Sequence, residues 1–209
     1  MYAMPATPHY IQSPEPAVLA EILRDDINLA IWTRQFSPAI ASFTDALLCR
    51  DDPLSESRVI ELQGEEPPDL VGLAAAFAQC EGYAEFVEDV AWLIQAYGCL
   101  LGAERIGLRL RILDKAMCPR YHVDRVSVRL ITTYAGRGSE WLEEGAMRRA
   151  GLGQAGSEPV DAPHKLLAAD VALFKGERWM SNEGRGIIHR SPQARAGERR
   201  LIMTLDWLK

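Results

Sequence analysis

The sequence predicts an α+β fold in which a helical N-terminal half, residues 1–102, packs on a β-rich C-terminal half, residues 103–209, as one compact unit. The first observation is an apolar stripe over residues 83–101, whose members recur at three- and four-residue steps, the spacing of one helix face. The second is a change of period after Gly102, where apolar and polar residues alternate as in a half-buried strand. The third is the frequency of turn residues beyond that point, which is typical of a sandwich or barrel of short strands.

The N-terminal half is predicted to contain a series of helices separated by proline-rich breaks. Residues 1–16 include four prolines and are expected to form an irregular lead-in, followed by a short apolar run over 17–23. Ser37 and Pro38 are typical of a helix start, and that helix should continue to Cys49. Asp69 is predicted to cap a further helix that ends at Gln79.

The C-terminal half is predicted to contain short strands separated by glycine-rich turns. Alternation of apolar side chains is clearest just after Gly102, and the later runs are rich in β-forming residues. The predicted strands lie at residues 106–113, 126–134, 171–174, 186–189 and 200–208.

Composition excludes several classes of protein. The 209 residues are 48% hydrophobic and carry a net charge of −6, which argues against a general nucleic-acid-binding protein. No apolar run is long enough to span a membrane, and the first 16 residues lack the features of a secretory signal. The four cysteines show no CxxC pairing and are expected to be reduced thiols, so a cytoplasmic location is predicted.

The most informative residues are two histidines and one aspartate. His122 and Asp124 are separated by one residue, so in an extended strand both side chains project from the same face, roughly 6.6 Å apart. His189 must come from another strand, which a closed or sandwiched sheet can place opposite. Two imidazoles and one carboxylate can bind one face of a divalent metal ion and leave the other face open to a substrate. The sequence therefore predicts a metal site at these residues.

Cys118 decides between two kinds of metal site. It has the same parity as His122 but lies roughly 13 Å away along a straight strand, so it reaches the metal only if Pro119 bends the chain back. With Cys118 the four ligands would form a closed set, which favours structural zinc. Without it the site stays open, as a catalytic site requires.

The order of motifs over about residues 115–209 resembles that of double-stranded β-helix oxygenases that use iron(II) and 2-oxoglutarate, in particular the prolyl-hydroxylase-like branch. The shared pattern is His-x-Asp, a strand with Arg and Thr ending at Tyr134, an Asp-led apolar strand over 170–174, and then His-Arg followed by Gly-x-Arg. The resemblance implies a jelly-roll or cupin-like core with His122, Asp124 and His189 as metal ligands. It also implies that Arg199, or Arg200 as the second choice, binds the distal carboxylate of 2-oxoglutarate.

A closer resemblance covers most of the chain. The segments 118–124, 138–142, 175–177, 182–184 and 189–192 are similar to a bacterial domain-of-unknown-function family, number 1826. Members of this family resemble proteins encoded near zinc-homeostasis genes, which implies a link to metal supply.

Three hypotheses follow from these observations. The first is an oxygenase that uses iron(II), the favoured metal, and 2-oxoglutarate to oxidise an unknown small-molecule or protein substrate. The second is a zinc-binding protein of metal homeostasis without oxygenase activity, with or without Cys118 as a ligand. The third is a β domain that binds no metal, for which His122→Ala would change neither metal content nor stability.

Overall fold

A computed structural model describes residues 7–50, 52–64, 66–193 and 195–208. Over these residues the protein combines two α-helices with ten strands, most of which pair antiparallel. The helices are α1 (Pro38–Cys49) and α2 (Tyr83–Leu101). The strands are β1 (His9–Ser13), β2 (Ile27–Trp32), β3 (Ser55–Glu61), β4 (Arg105–Leu113), β5 (Val128–Ala135), β6 (Glu140–Leu142), β7 (His164–Lys165), β8 (Val171–Lys175), β9 (Ile188–Arg190) and β10 (Arg200–Leu208). Short 3-10 helices lie at Pro16–Leu23, Ala75–Phe77 and Arg149–Gly151.

The strands form one large and one small sheet. The large sheet has seven strands in the order β1-β2-β8-β5-β10-β4-β3, and the small sheet has the order β7-β6-β9. One apolar cluster joins the two sheets, because Ile131, Phe174 and Ile202 of the large sheet pack with Trp141 of the small one. A second, larger cluster fills the space between the large sheet and the two helices. The large sheet therefore has a helix side and a side that faces the small sheet.

Both long helices are confirmed, and their ends follow from local chemistry. The Ser37 Oγ accepts a hydrogen bond from the backbone N–H of Ile40 at 3.3 Å, and Pro38 fills the first turn of α1. Helix α2 begins after Gly82, which has a φ of 81° and where a Cβ atom would lie 2.1 Å from the carbonyl oxygen of Ala39. Only glycine permits this close approach of α2 to α1.

The prediction of a helical N-terminal half is wrong, because three strands of the large sheet come from it. The first of them, β1, lies in the predicted lead-in, whose residues 1–6 are outside the described part of the chain. Strand β2 is buried at five of its six residues because it has neighbours on both edges and packs on both faces. Strand β3 lies at the edge and is mostly polar, so neither strand has the alternation that marks a half-buried strand.

The helix predicted from Asp69 to Gln79 is also wrong. The Asp69 carboxylate accepts a hydrogen bond from the backbone N–H of Val71, which forms a turn. Gly72 and Ala74 have φ values of 73° and 50°, and these left-handed residues interrupt the helical path. Only the short 3-10 helix Ala75–Phe77 remains.

The strands predicted for the C-terminal half are confirmed to within about two residues at each end, as β4, β5, β8, β9 and β10. Strands β6 and β7, of three and two residues, were not predicted because they are too short to show a period. Strands from both sides of residue 102 pair in one sheet, while the division of the chain at that residue stays a prediction. No helix among the described residues combines the length and apolar character needed to cross a membrane.

Candidate metal centre

A single antiparallel bridge between His122 and His189 forms the base of the site. The backbone N–H of each residue donates to the carbonyl oxygen of the other, at 3.0 Å in both directions. Directly opposed residues project their side chains from the same face, and the two imidazole rings lie 4.4 Å apart between centroids. The pairing thus explains why residues 67 positions apart in the sequence meet.

Asp124 completes the group from the same segment as His122. Its Oδ1 lies 3.8 Å from Nε2 of His122, and its Oδ2 lies 3.5 Å from Nε2 of His189. One ligand atom from each of the three residues lies within 4.8 Å of the others. The turn that holds Asp124 packs on the loop after β8, where Gly176 is required because a Cβ atom would lie 2.7 Å from the Asp124 carbonyl oxygen.

Both imidazoles have their Nδ1 atoms engaged on the backbone. His122 Nδ1 lies 3.0 Å from the carbonyl oxygen of Arg120, and His189 Nδ1 lies 3.1 Å from that of Ile187. A carbonyl oxygen only accepts hydrogen bonds, so each Nδ1 carries the proton and donates it. Each Nε2 then presents a lone pair toward Asp124, as a metal ligand does.

Burial differs between the three side chains. The side chain of His189 is 6% exposed and that of Asp124 is 11% exposed, whereas that of His122 is 30% exposed. Burial lowers the pKa of His189 to about 4, because the attraction of Asp124 only partly offsets the loss of hydration. His189 is therefore neutral at physiological pH, and the group opens to solvent on the His122 side.

Asp124 belongs to a network of ion pairs between arginines and aspartates. Arg129 Nη1 donates to Asp124 Oδ2 at 2.8 Å, and its Nε donates to Asp206 Oδ1 at 2.7 Å. Arg109 donates to the same Asp206 carboxylate. Sequence reasoning assigned no role to Arg129 or Asp206, although a charged residue inside the apolar strand β10 is a signal of a buried polar partner.

Cys118 lies outside the group. Its backbone pairs with Ser191, two residues beyond His189, and its side chain is exposed. Among the described residues the only group with metal-ligand spacing contains His122, Asp124 and His189. Cys118 is therefore not placed with the three candidate ligands in this structure.

Arg199 and Arg200 face opposite sides of the large sheet. Arg199 Nη1 donates to the carbonyl oxygens of Leu48 and Arg50 at the end of α1, on the helix side. Arg200 has the same parity as Ile202 and projects toward the small sheet, where it is 6% exposed. Its Nη2 lies 3.4 Å from Thr133 Oγ1, and its Nε and Nη1 atoms have no hydrogen-bond partner among the described residues.

The burial of Arg200 is electrostatically unfavourable. Loss of hydration and, to a smaller extent, the nearby charge of Arg137 lower its pKa to about 10, because the attraction of Glu198 does not offset them. A buried guanidinium with two unsatisfied nitrogen atoms indicates a place for an anion that the protein itself does not supply.

Two solved dioxygenase structures have a fold similar to that of this chain. The rice dioxygenase for auxin oxidation has a TM-score of 0.53 at 14% identity, with 97% of this chain and 83% of that chain covered. Dioxygenase for auxin oxidation 1 from Arabidopsis thaliana, in a binary complex with 2-oxoglutarate, has a TM-score of 0.50 at 10% identity and covers 97% and 92%. A prolyl-4-hydroxylase from Pseudomonas putida has a TM-score of 0.49 at 15% identity and covers 92% and 98%. The first two comparisons establish a shared fold.

No curated protein matches the sequence. A protein-family profile matches residues 13–206, nearly the whole chain, and this confirms the closer of the two resemblances. The chain therefore belongs to the family described as protein of unknown function DUF1826.

Proposed function

We propose that this protein is an oxygenase that uses iron(II) and 2-oxoglutarate to oxidise a C–H bond of its substrate. The observation that carries the proposal is the pairing of an open His-Asp-His group with a buried arginine that lacks an anionic partner. Either feature alone has simpler explanations, but together they supply the two kinds of contact that one cosubstrate needs, a metal ion and a cation for its distal carboxylate. The substrate itself, a small molecule or a protein, is not specified by these residues.

The three residues fit a divalent metal ion by the chemistry of their donor atoms. Two neutral imidazoles and one carboxylate are the ligand set of open iron(II) sites, and the engaged Nδ1 atoms fix both rings with Nε2 toward the metal. The bond from Arg129 to Asp124 Oδ2 leaves Oδ1 for the metal and thus favours a carboxylate bound through one oxygen. Bound iron would supply the redox chemistry that couples oxidative decarboxylation of 2-oxoglutarate by O₂ to substrate oxidation.

Arg200 fits the distal carboxylate of 2-oxoglutarate better than Arg199 does. Near the metal group, the charges of Arg109 and Arg129 are balanced by those of Asp124 and Asp206. Arg200 has no such partner, and a carboxylate would satisfy its two free nitrogen atoms with charge-assisted hydrogen bonds. The hydroxyl of Thr133 could then donate to the same carboxylate.

The strand arrangement supports a double-stranded β-helix. The strands β8-β5-β10-β4 form one layer, and the second layer consists of β7-β6-β9 followed by the His122 bridge. Two such layers support a jelly-roll arrangement, with the metal group at one end of the space between them. The Arabidopsis neighbour with the shared fold was solved in complex with 2-oxoglutarate, which favours the same cosubstrate here.

The proposal is tested with anaerobic, iron(II)-loaded full-length protein, on which 2-oxoglutarate binding is followed by its visible charge-transfer absorption. We expect binding to the wild type, no iron-dependent signal for His122→Ala, and affinity roughly 10- to 100-fold weaker for Arg200→Met, because one charge-assisted contact is lost. Arg199→Met removes the same charge from the helix side and is the matched control, with unchanged affinity. Loss of affinity in Arg199→Met, but not in Arg200→Met, would contradict the assignment of Arg200.

The alternative function is zinc binding in metal homeostasis. The exposed position of Cys118 outside the group argues against a closed structural zinc site. Tight zinc binding by the same three residues, with no binding of 2-oxoglutarate by the iron-loaded protein, would favour this alternative and overturn the oxygenase proposal.

A further inference from the structure

Asp206 is a buried carboxylate on the face of the large sheet that carries the candidate metal centre. Its side chain is 6% exposed and belongs to β10, which lies between β5 and β4. Asp206 has the same parity as Ile202, so it projects toward the small sheet. A buried carboxylate requires partners of opposite charge, because an unpaired charge in such a place is strongly destabilising.

Arg129 is the first partner of Asp206. The two residues are directly opposed in the antiparallel pairing of β5 with β10. Arg129 Nε donates to Asp206 Oδ1 at 2.7 Å and Nη2 donates to Oδ2 at 3.0 Å, so one planar guanidinium engages both carboxylate oxygens. This two-pronged contact fixes the plane of the guanidinium and therefore the direction of its third nitrogen atom, Nη1.

The third nitrogen atom of Arg129 holds the carboxylate of Asp124. Nη1 donates to Asp124 Oδ2 at 2.8 Å, and among the described residues this is the one hydrogen bond that the carboxylate accepts. Asp124 lies outside the strands, between the His122 bridge and β5, where its backbone carbonyl accepts from the N–H of Glu177. The orientation of the Asp124 side chain therefore depends on Arg129, and the orientation of Arg129 depends on Asp206.

Arg109 contacts Asp206 from the other neighbouring strand. Gly107 of β4 is directly opposed to Asp206 and has no side chain, so Arg109, two residues further on the same face, reaches the carboxylate diagonally and donates to it. The side chain of Arg109 is 45% exposed, whereas that of Arg129 is 20% exposed. Four charges of alternating sign thus extend from the protein surface to the candidate metal ligand Asp124.

We propose that Asp206 is a positioning residue of the metal centre, which acts through Arg129 to hold Oδ2 of Asp124 and to present Oδ1 to the metal ion. This inference rests on the proposed function, because it presupposes a metal ion at the His-Asp-His group. Without the contact to Asp206, Arg129 can turn away, and Asp124 can then bind the ion through both oxygens. A carboxylate bound in that way occupies a coordination position that an open catalytic site keeps for its ligands.

The experiment follows binding of Co(II), as a substitute for iron(II), to the metal-free full-length protein without 2-oxoglutarate. Visible absorption of the bound ion gives the dissociation constant, and its intensity falls as the coordination number rises. Asp206→Asn keeps the shape of the side chain and removes its charge. Arg129→Lys keeps the charge but lacks the planar fork that engages two carboxylates at once. The matched control is Asp170→Asn, because Asp170 is also buried but accepts from the backbone N–H of Leu167.

We expect both variants to bind Co(II) roughly 10-fold more weakly than the wild type, at the lower end of the range typical of residues that support metal ligands. Their visible absorption should also be weaker, because the coordination number rises. Asp170→Asn should match the wild type in affinity and in spectrum. Arg129→Lys, which retains an ion pair with Asp206, provides the answer if Asp206→Asn does not fold.

Two results would overturn the positioning role of Asp206. Wild-type affinity and spectrum in both variants would show that the network serves only the fold, even if the variants unfold at lower urea concentration. Weaker binding in Asp206→Asn with a wild-type spectrum in Arg129→Lys would show that charge alone matters. Absence of Co(II) binding by the wild type would overturn the proposed function together with this inference, whereas binding that neither variant alters overturns this inference alone.

Discussion

Two arginines with little exposure to solvent, on opposite sides of the large sheet, are in contrasting environments. On the helix side, Arg34 makes a two-pronged contact with the Asp89 carboxylate of α2, and its Nε donates to the carbonyl oxygen of Ala169 at 2.9 Å. On the side of the small sheet, Arg200 has only the 3.4 Å contact with the Thr133 hydroxyl. The side chain of Arg34 is 11% exposed and Arg200 is 6% exposed, so the main difference lies in their partners.

The pKa values of the two residues express this difference. Burial acts to lower the pKa of Arg34, but the hydrogen bonds and charge of Asp89 outweigh it and raise that pKa above its ordinary value. For Arg200 burial prevails, and the pKa falls to about 10. The Arg34–Asp89 pair therefore stabilises the fold by itself, whereas Arg200 alone leaves two buried nitrogen atoms without a hydrogen-bond partner among the described residues.

The largest effect is expected for Arg34→Met. This change leaves the largely buried Asp89 carboxylate without its cationic partner, with only the Tyr134 hydroxyl still donating to it. Removal of one member of a buried ion pair typically costs about 3–5 kcal/mol of the free energy of unfolding. Urea unfolding of the purified variant measures the loss. A loss below about 1 kcal/mol would show that the helix side does not depend on this ion pair and would weaken the comparison.

Metal binding at the His-Asp-His group, on the side of the small sheet, is expected to raise the free energy of unfolding by a smaller amount. At a free metal concentration 100 times the dissociation constant, linkage predicts stabilisation of about 2.7 kcal/mol, because only the folded chain assembles the three ligands. Thermal unfolding with and without the ion measures it, and His122→Ala should abolish it. Cys118→Ser should retain the full effect, and its loss in that variant would restore Cys118 as a ligand.

The helix side was only partly predictable from the sequence. The stripe of α2 and the cap of α1 are local signals, and both helices were predicted with their correct ends. Strands β2 and β3 owe their conformation to neighbouring strands that lie far away in the sequence. A continuous apolar run such as Ile27–Trp32 carries no period that separates strand from helix.

The candidate site was predictable as a set of residues but not as an arrangement. The spacing of His122 and Asp124 placed both side chains on one face, and the bridge to His189 agrees with that inference. The choice between Arg199 and Arg200 depends on which of the two side chains faces the small sheet at the start of β10. The number of residues between each arginine and His189 does not determine this. The pairing of Arg129 with Asp206 depends on strand register in the same way.

Arg200→Met tests directly whether Arg200, unlike Arg34, lacks a stabilising partner in the ligand-free protein. Because the guanidinium is buried and largely unpaired in the ligand-free protein, an apolar side chain of similar length should stabilise that state by roughly 1–3 kcal/mol. Urea unfolding without metal or cosubstrate measures the gain, and Arg34→Met under the same conditions is the contrasting variant. Destabilisation by Arg200→Met would mean that this arginine, like Arg34, serves the fold.

Lys175, at the end of β8, is intermediate between Arg34 and Arg200 in how well its buried charge is compensated. Its ammonium donates to the carbonyl oxygen of Arg24 at 2.7 Å and lies 4.9 Å from the centre of the Trp179 ring, but the side chain is 1% exposed. Burial lowers its pKa to about 8 from 10.5, and the attraction of Asp25 does not compensate. One neutral acceptor therefore satisfies the hydrogen bond without offsetting the loss of hydration.

The lowered pKa of Lys175 predicts that the free energy of unfolding rises with pH. Between pH 8 and 10.5 the unfolded chain binds more protons at Lys175 than the folded chain does, so deprotonation favours folding in that window. The gain from pH 7 to pH 9 should be on the order of 1 kcal/mol. Urea unfolding at the two pH values measures it for the wild type, for Lys175→Met, and for Lys165→Met as an exposed control. If the rise in the free energy of unfolding persisted in Lys175→Met, its source would be another group. A single carbonyl acceptor would then be sufficient to stabilise the buried Lys175 ammonium on the helix side of the large sheet.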